Sequence, residues 1–189
     1  MKRSKNIFGA LFVLLLFAVW LFLLYSFKPT EIVDIVGTEN SYILVFVLAI
    51  IGGTSVLFPF PYYLVVFTLG SGGLNPFLIG LLAGTGVAMG DSTSYLIGYS
   101  GREIITGKIQ KIFNKLYKWC MKKPKAVTFL FLYIYGSVIP LPNDVIVIPM
   151  GMARFPYLKL IIPLWLGNIT FNILMALAGF YGIYLYGLV

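Results

Sequence analysis

The sequence predicts an all-α, polytopic membrane protein built as an inverted repeat. It would hold two opposed re-entrant helical hairpins, about three full transmembrane helices and one cytoplasmic amphipathic helix. Three observations predict this. The 189 residues are 60% hydrophobic and only 11% charged, with a mean hydropathy of +0.95. Two apolar stretches are each broken by a Pro-x-Pro and closed by glycine. The basic residues gather in segments that can all lie on one side of a bilayer.

A soluble domain is about half apolar and about a quarter charged. This chain departs from both values in the direction of lipid, and too few polar residues remain to coat a buried soluble core. The net charge of +8 raises nucleic acid as a partner. Its clustering points instead to anionic lipid head groups at a membrane surface. A single cysteine, Cys120, rules out an internal disulfide and leaves the redox compartment unread. Histidine is absent, which excludes imidazole metal sites and His-based acid–base chemistry. No cofactor is expected.

Residues Ile7–Phe27 form an apolar run behind Lys2, Arg3 and Lys5, long enough to span a bilayer. The run is long for a cleaved signal and no small-x-small site follows it, so it reads as a retained first helix. Residues Lys28–Asn40 carry Glu31, Asp34 and Glu39 and read as an acidic external loop. Tyr42–Phe58 is apolar and ends in Pro59-Phe60-Pro61. Tyr62–Leu69 and Gly70, Gly72 and Gly73 follow. Prolines that break an apolar stretch at membrane depth suggest a re-entrant hairpin, buried in protein or lining a wet cavity. Pro76–Tyr99 reads as a full helix in which Gly80 with Gly84, and Gly86 with Gly90, allow close helix approach. In Gly101–Lys125, Ile105, Ile109, Ile112, Leu116 and Trp119 recur on one helical face. Lys108, Lys111, Lys115, Lys118 and Lys122 recur on another. That pattern reads as a basic helix in the interface, or as one packed on the protein's own cytoplasmic surface. Ala126–Ile139 ends in Pro140-Leu141-Pro142, Asn143–Gly151 follows, and Leu160–Tyr186 can span the membrane.

The two broken segments repeat one pattern. PFPYYLVVFTLG (Pro59–Gly70) aligns without a gap on PLPNDVIVIPMG (Pro140–Gly151). Pro59 meets Pro140, Pro61 meets Pro142, Val66 meets Val147 and Gly70 meets Gly151. At the same offset Gly86 meets Gly167 and Asp91 meets Asn172. The domain division is therefore an N-terminal helix and acidic loop (1–41) and a transport domain (42–189). The latter comprises repeat one (42–100), the basic helix (101–125) and repeat two (126–189). With Lys2, Arg3 and Lys5 in the cytoplasm, every basic residue except Lys28 falls inside. The first hairpin then enters from outside and the second from inside, and the C-terminus is external. Inverted repeats with broken helices at the midplane are a transporter architecture.

Asp91 and Asp144 lie in apolar stretches, where an aspartate costs about 2.5–3.5 kcal/mol to insert at a helix centre. Two readings stand for Asp91: a group facing an interior polar path, or a wetted residue near the helix end capped by Ser92, Thr93 or Ser94. Asp144 reads as a path residue, as the N-cap of the helix after Pro142, or as both. Arg154 could pair with Asp144, hold a phosphate or anchor the chain at the inner surface. Asn143, Asn168 and Asn172 are neutral polar groups for the same cavity. No Gly-rich phosphate loop and no Gly-x-Ser-x-Gly elbow occurs, so the chain reads as a non-enzyme.

Two segments carry a family resemblance. GTGVAMGDSTSYLIGYSGRE (Gly84–Glu103) resembles the Gly-Asp…Tyr…Ile-Gly…Gly signature of the DedA family, also called SNARE-associated or VTT-domain proteins. IPLPNDVIVIPMGMARFPYLKL (Ile139–Leu160) resembles its second signature, a Pro-rich turn leading to a small-Gly pair and an arginine. The resemblance covers roughly Tyr42 to Tyr186. It implies two opposed hairpins and a lipid-moving function: carrier-lipid recycling for bacterial members, phospholipid scrambling for eukaryotic ones. Asp91 matches the family aspartate and Arg154 the late arginine. Tyr62 and Tyr63 stand where many members carry an acid after the first Pro-x-Pro. Ser137 and Asn143 stand where many carry arginines. Tyr63 is the internal counterpart of Asp144, so the tip acid is expected to have moved to the other hairpin while still facing a shared cavity.

The leading expectation is a cell-membrane lipid transporter or scramblase. Its path would be formed by Asp91, Asp144, Asn143, Arg154, Tyr62, Tyr63 and the prolines Pro59, Pro61, Pro140 and Pro142. A small-solute or ion transporter on the same scaffold and a non-transporting membrane assembly protein are the alternatives. A homo-oligomer is left open.

Overall fold

The computed structural model describes residues 26–54, 60–101, 117–139 and 142–185, with residues 15, 18–20, 22 and 115 besides; for 183–185 it describes the backbone alone. Among these residues every regular element is helical: α1 (Pro29–Val36), α2 (Thr38–Gly53), α3 (Tyr62–Ser71), α4 (Pro76–Ser100), α5 (Lys125–Val138), α6 (Asp144–Met152) and α7 (Tyr157–Leu185). A short helical stretch, 117–122, precedes α5. Most of the expected first helix, with Pro59, Pro140, Lys108 and Lys111, lies outside the described residues.

Residues 28–40, expected as a loop, are helical instead. Pro29 opens α1 at a position where its missing N–H is no loss. The Lys28 backbone N–H donates to the Glu31 carboxylate at 3.1 Å. Glu39 falls in the first turn of α2, where its charge suits the helix dipole. The acids therefore mark helix starts. α1 and α2 meet at a bend of 98°, and α2 starts ahead of the expected Tyr42 and ends at Gly53. Among the described residues one helix, Tyr157–Gly182, is long and apolar enough to cross a membrane, and the bent α1–α2 pair passes the same test only if counted as one span.

α4 and α7 form the centre. α2 packs on α4 and α5 packs on α7. The half-length helices are crossed over. α3 precedes α4 in the chain but packs chiefly on α7, and α6 precedes α7 but packs on α4. Glycines permit these approaches. Gly70 of α3 lies against the Ala176 carbonyl, and Gly179 of α7 against the Phe67 carbonyl. Gly151 of α6 lies against the Tyr95 carbonyl, and Gly98 of α4 against the Ile148 carbonyl. The second pair of contacts is the first displaced by 81 residues, the separation of Pro59 from Pro140.

The same displacement relates the cores. Val65, Val66, Leu69, Leu74, Ile79 and Ala83 are buried with Ala176 in one cluster. Ile146, Val147, Met150, Phe155, Leu160 and Leu164, each 81 residues later, are buried with Tyr95 in another. It also relates the turns that end α3 and α6. Gly73 N–H donates to Gly70 O and Leu74 N–H to Leu69 O; Arg154 N–H donates to Gly151 O and Phe155 N–H to Met150 O. Both are Schellman turns with their apolar contact in place. The left-handed residue is Gly73 in one (φ 85°) and Arg154 in the other (φ 55°).

Gly80 and Gly84 face Ile173 and Ile169 of α7, while Gly86 and Gly90 face Phe46 and Gly53 of α2, so each small-residue pair seats a different helix. In the basic segment Lys115, Lys118 and Lys122 are exposed, and the helical stretch stops before Pro124. Its buried side chain is Cys120, held under Thr128, whose hydroxyl donates to the Cys120 carbonyl at 2.9 Å. Trp119, expected on the apolar face, is 38% exposed and leans on Phe131.

Candidate polar site between the half-helix tips

Polarity is distributed inside out. Ile43, Val47, Leu81, Leu96, Leu130, Ile134 and Leu174 face outward, whereas Ser41, Asp91, Ser94 and Asn172 have no exposed surface. The polar groups that gather at the centre come from α4, α7 and the N-terminal tips of α3 and α6.

Asp91 anchors the cluster. It sits well inside α4, so the wetted helix-end reading is corrected. Its supposed caps are engaged elsewhere: Ser92 Oγ bonds the Ala88 carbonyl and Tyr157 Oη, and Thr93 Oγ1 bonds the Gly90 carbonyl and Thr54 Oγ1. Asp91 Oδ2 accepts from Asn143 Nδ2 at 2.8 Å and from Asn168 Nδ2 at 3.2 Å. Its Oδ1 is buried without a hydrogen-bond partner. Asn143 Nδ2 also donates to Asn168 Oδ1 at 3.1 Å, closing a three-residue ring.

Asn143 occupies the N-cap of α6, and Asp144 is the first helical residue, so the N-cap reading of Asp144 is corrected. Asn143 makes no side-chain cap because its amide is drawn into the ring. Asp144 is only 5% exposed, and its carboxylate and that of Asp91 are close enough to feel each other's charge. Its place at the helix start suits the dipole. Tyr135, which the sequence reading did not single out, donates its hydroxyl to the Pro142 carbonyl at 3.1 Å and steadies the α6 tip.

The α3 tip enters from the other half. Pro61 is its N-cap and Tyr62 its first residue. Tyr62 Oη accepts from Asn172 Nδ2 at 3.5 Å, a long bond at the edge of the useful range. Asn172 Nδ2 also donates to the Asn168 carbonyl at 2.8 Å, and Asn172 Oδ1 is buried without a partner. Tyr62 and Asn143 stand 81 residues apart, as do Asp91 and Asn172. Each tip residue therefore touches the long helix of the opposite half at the matched position. Tyr63 does not join them: it is 40% exposed, although its counterpart Asp144 is buried. The tip acid thus exists in one hairpin and faces inward there.

Arg154 is not brought to this cluster. It lies past the far end of α6, about 13 Å of helix from Asp144 at 1.5 Å per residue. It is exposed, and its guanidinium lies 4.9 Å from the Tyr99 ring centroid. The expected pairing with Asp144 is corrected for that reason. No protein-family model matches the chain, and no curated protein and no solved structure matches it.

Proposed function

We propose that the chain is a multi-pass membrane transporter of the DedA type, moving a lipid with a phosphate-bearing head group across the bilayer. The observation that carries the reading is the hydrogen-bonded ring of Asp91, Asn143 and Asn168, buried where two half-length helices end inside an apolar, all-helical protein. Buried polar groups in such surroundings mark substrate and proton paths. The matched glycine, core and turn contacts support an inverted repeat. The exposed lysines at 115, 118 and 122 support an inner surface on that side, with the N-terminus cytoplasmic. In this reading the head group passes between the α3 and α6 tips while its tails stay in lipid. Asn143 and Tyr62 contact it, and Asp91 and Asp144 carry the coupling proton or cation.

The test is head-group flipping in proteoliposomes, comparing wild type with Asp91→Asn and Asp144→Asn. Loss of about tenfold or more in rate is expected of a group that handles charge on the path. Wild-type rates in both variants would remove these roles. The complete burial of Asp91 and Asn172 favours a second reading, occluded transport of a small solute or ion. That reading predicts solute or ion flux without lipid flipping.

A further inference from the structure

Because the two halves make the same backbone and core contacts, side chains that differ at matched positions are not required by those contacts. The densest set of differences surrounds the turn that ends α6. In the first half the matched residues are Gly73 and Pro76 at the turn and Ile173, Ala176 and Phe180 along α7. None of these five is charged or carries a side-chain hydroxyl. In the second half they are Arg154 and Tyr157 at the turn and Ser92, Tyr95 and Tyr99 along α4. One half thus has a hydroxyl-rich, cationic site where the other has an apolar wall.

These residues form a built groove. Ser92, Tyr95, Leu96, Tyr99 and Tyr157 line a cavity of about 350 Å³. Ser92 Oγ and Tyr157 Oη share a hydrogen bond of 2.6 Å, and Tyr95 donates to the Phe155 carbonyl at 2.7 Å, which fixes the floor. Leu96 (60% exposed), Tyr99 and Tyr157 open it sideways, towards the surroundings of the bundle. Arg154 stands at its rim over Tyr99. Arginine holds a left-handed backbone there, at the position the other turn gives to glycine, so the side chain is kept against the local preference. No acidic residue occurs in α4 beyond Asp91 or anywhere after Arg154, so these elements supply no counter-ion, while Lys159 adds an exposed cation one turn on.

We propose that this groove binds the anionic head group of a membrane lipid in the cytoplasmic leaflet. Arg154 would meet the phosphate, the Ser92 and Tyr157 hydroxyls would bond its oxygens, and Leu96 would lie along an acyl chain. The matched surface of the other half lacks these groups, so the binding is one-sided. The inference rests on the membrane reading above and not on transport. Absence of flipping in proteoliposomes would leave the binding measurement intact.

The backbone supplies an unusually clean test. Arg154→Gly removes the guanidinium and restores the residue that the turn prefers. The full chain in detergent is titrated with dioleoyl phosphatidylglycerol or dioleoyl phosphatidylcholine, and binding is read by native mass spectrometry. Wild type is expected to prefer phosphatidylglycerol about tenfold. Arg154→Gly is expected to reduce that preference to within about twofold with an unchanged or higher unfolding midpoint. Leu96→Trp, which fills the groove, is expected to weaken the same lipid. An unchanged preference in Arg154→Gly would overturn the proposal. So would a lowered midpoint in that variant, which would make the arginine structural, and so would displacement of the lipid by inorganic phosphate, which would make the site one for a soluble anion.

Discussion

Asp91 joins its neighbours through one atom, Oδ2, and this makes its contribution separable. Asparagine at 91 has the same shape and keeps an oxygen that can accept from both Asn143 and Asn168. Leucine has nearly the same size and accepts nothing. Both substitutions remove the carboxylate, so the desolvation of its charge cancels when the two are compared. What remains is the stranding of amides. With leucine, Asn168 Nδ2 loses its acceptor, and Asn143 Nδ2 keeps only Asn168 Oδ1. A stranded buried donor costs about 1–3 kcal/mol and a lost bond about 1 kcal/mol, so Asp91→Leu should be ~2–4 kcal/mol less stable than Asp91→Asn. For a chain of this length that is a midpoint difference on the order of 10 °C on the soluble-domain scale. Thermal unfolding of both purified variants in one detergent reads it directly. Equal midpoints would refute the reasoning, because the ring would then not be held by the acceptor at position 91.

Other perturbations follow from the same contacts. A methyl on Gly73 meets nothing within 4 Å, so Gly73→Ala should cost only its left-handed backbone, ~1–2 kcal/mol. Gly70→Ala drives a methyl into the Ala176 carbonyl and should lower the midpoint clearly further; equal costs would contradict the close approach. Gly98→Val and Gly179→Val strike matched contacts and should lose stability to a similar extent, each by ~1–3 kcal/mol; a large disparity in their midpoints would break the equivalence of the halves. Cys120 is buried, and burial pushes its thiol up, so maleimide labelling should be slow when folded and should keep rising with pH beyond the ordinary thiol range of about 8.5. Thr128→Val, which removes the hydroxyl bond to the Cys120 carbonyl, should speed that labelling at fixed pH. Replacing Lys115, Lys118 and Lys122 with Gln should reduce the stabilisation given by anionic lipid by about 1 kcal/mol for each charge at the surface, measured as the midpoint gain with and without phosphatidylglycerol.

The long helices and the two half-helices are legible in the sequence, because prolines stop helices and hydropathy marks apolar runs wherever they lie. The repeat was legible for the same reason: Pro59, Pro61 and Gly70 recur as a rigid set. α1 was hidden because Glu31, Asp34 and Glu39 look like a solvated loop when counted and like helix starts only when Pro29 is read with Glu31. Asn143 illustrates the limit at the site. Its position after Pro142 announces a cap, yet its amide serves Asp91, 52 residues away, and only tertiary packing decides that contest. Arg154 was misplaced for a simpler reason: proximity to Asp144 in the chain becomes separation in space once a helix stands between them. The repeat offset pointed to its true role, since it aligns Arg154 with Gly73 at a turn.

The crossing of the half-helices also governs the order in which the protein can become itself. α3 is made early, but the surface it packs on belongs to the last helix. Ser71 Oγ donates to the Gly179 carbonyl across a separation of 108 residues, and Gly70 rests on Ala176 nearby. At ribosomal rates of about 5–20 residues per second, the first half-helix waits roughly 5–20 s for its seat to be synthesised. α6 meets the opposite situation, because α4 is already in place when it emerges. A chain cut short before Ala176 would therefore leave its first half unpacked and its second half largely complete. The C-terminal helix closes the oldest part of the molecule last.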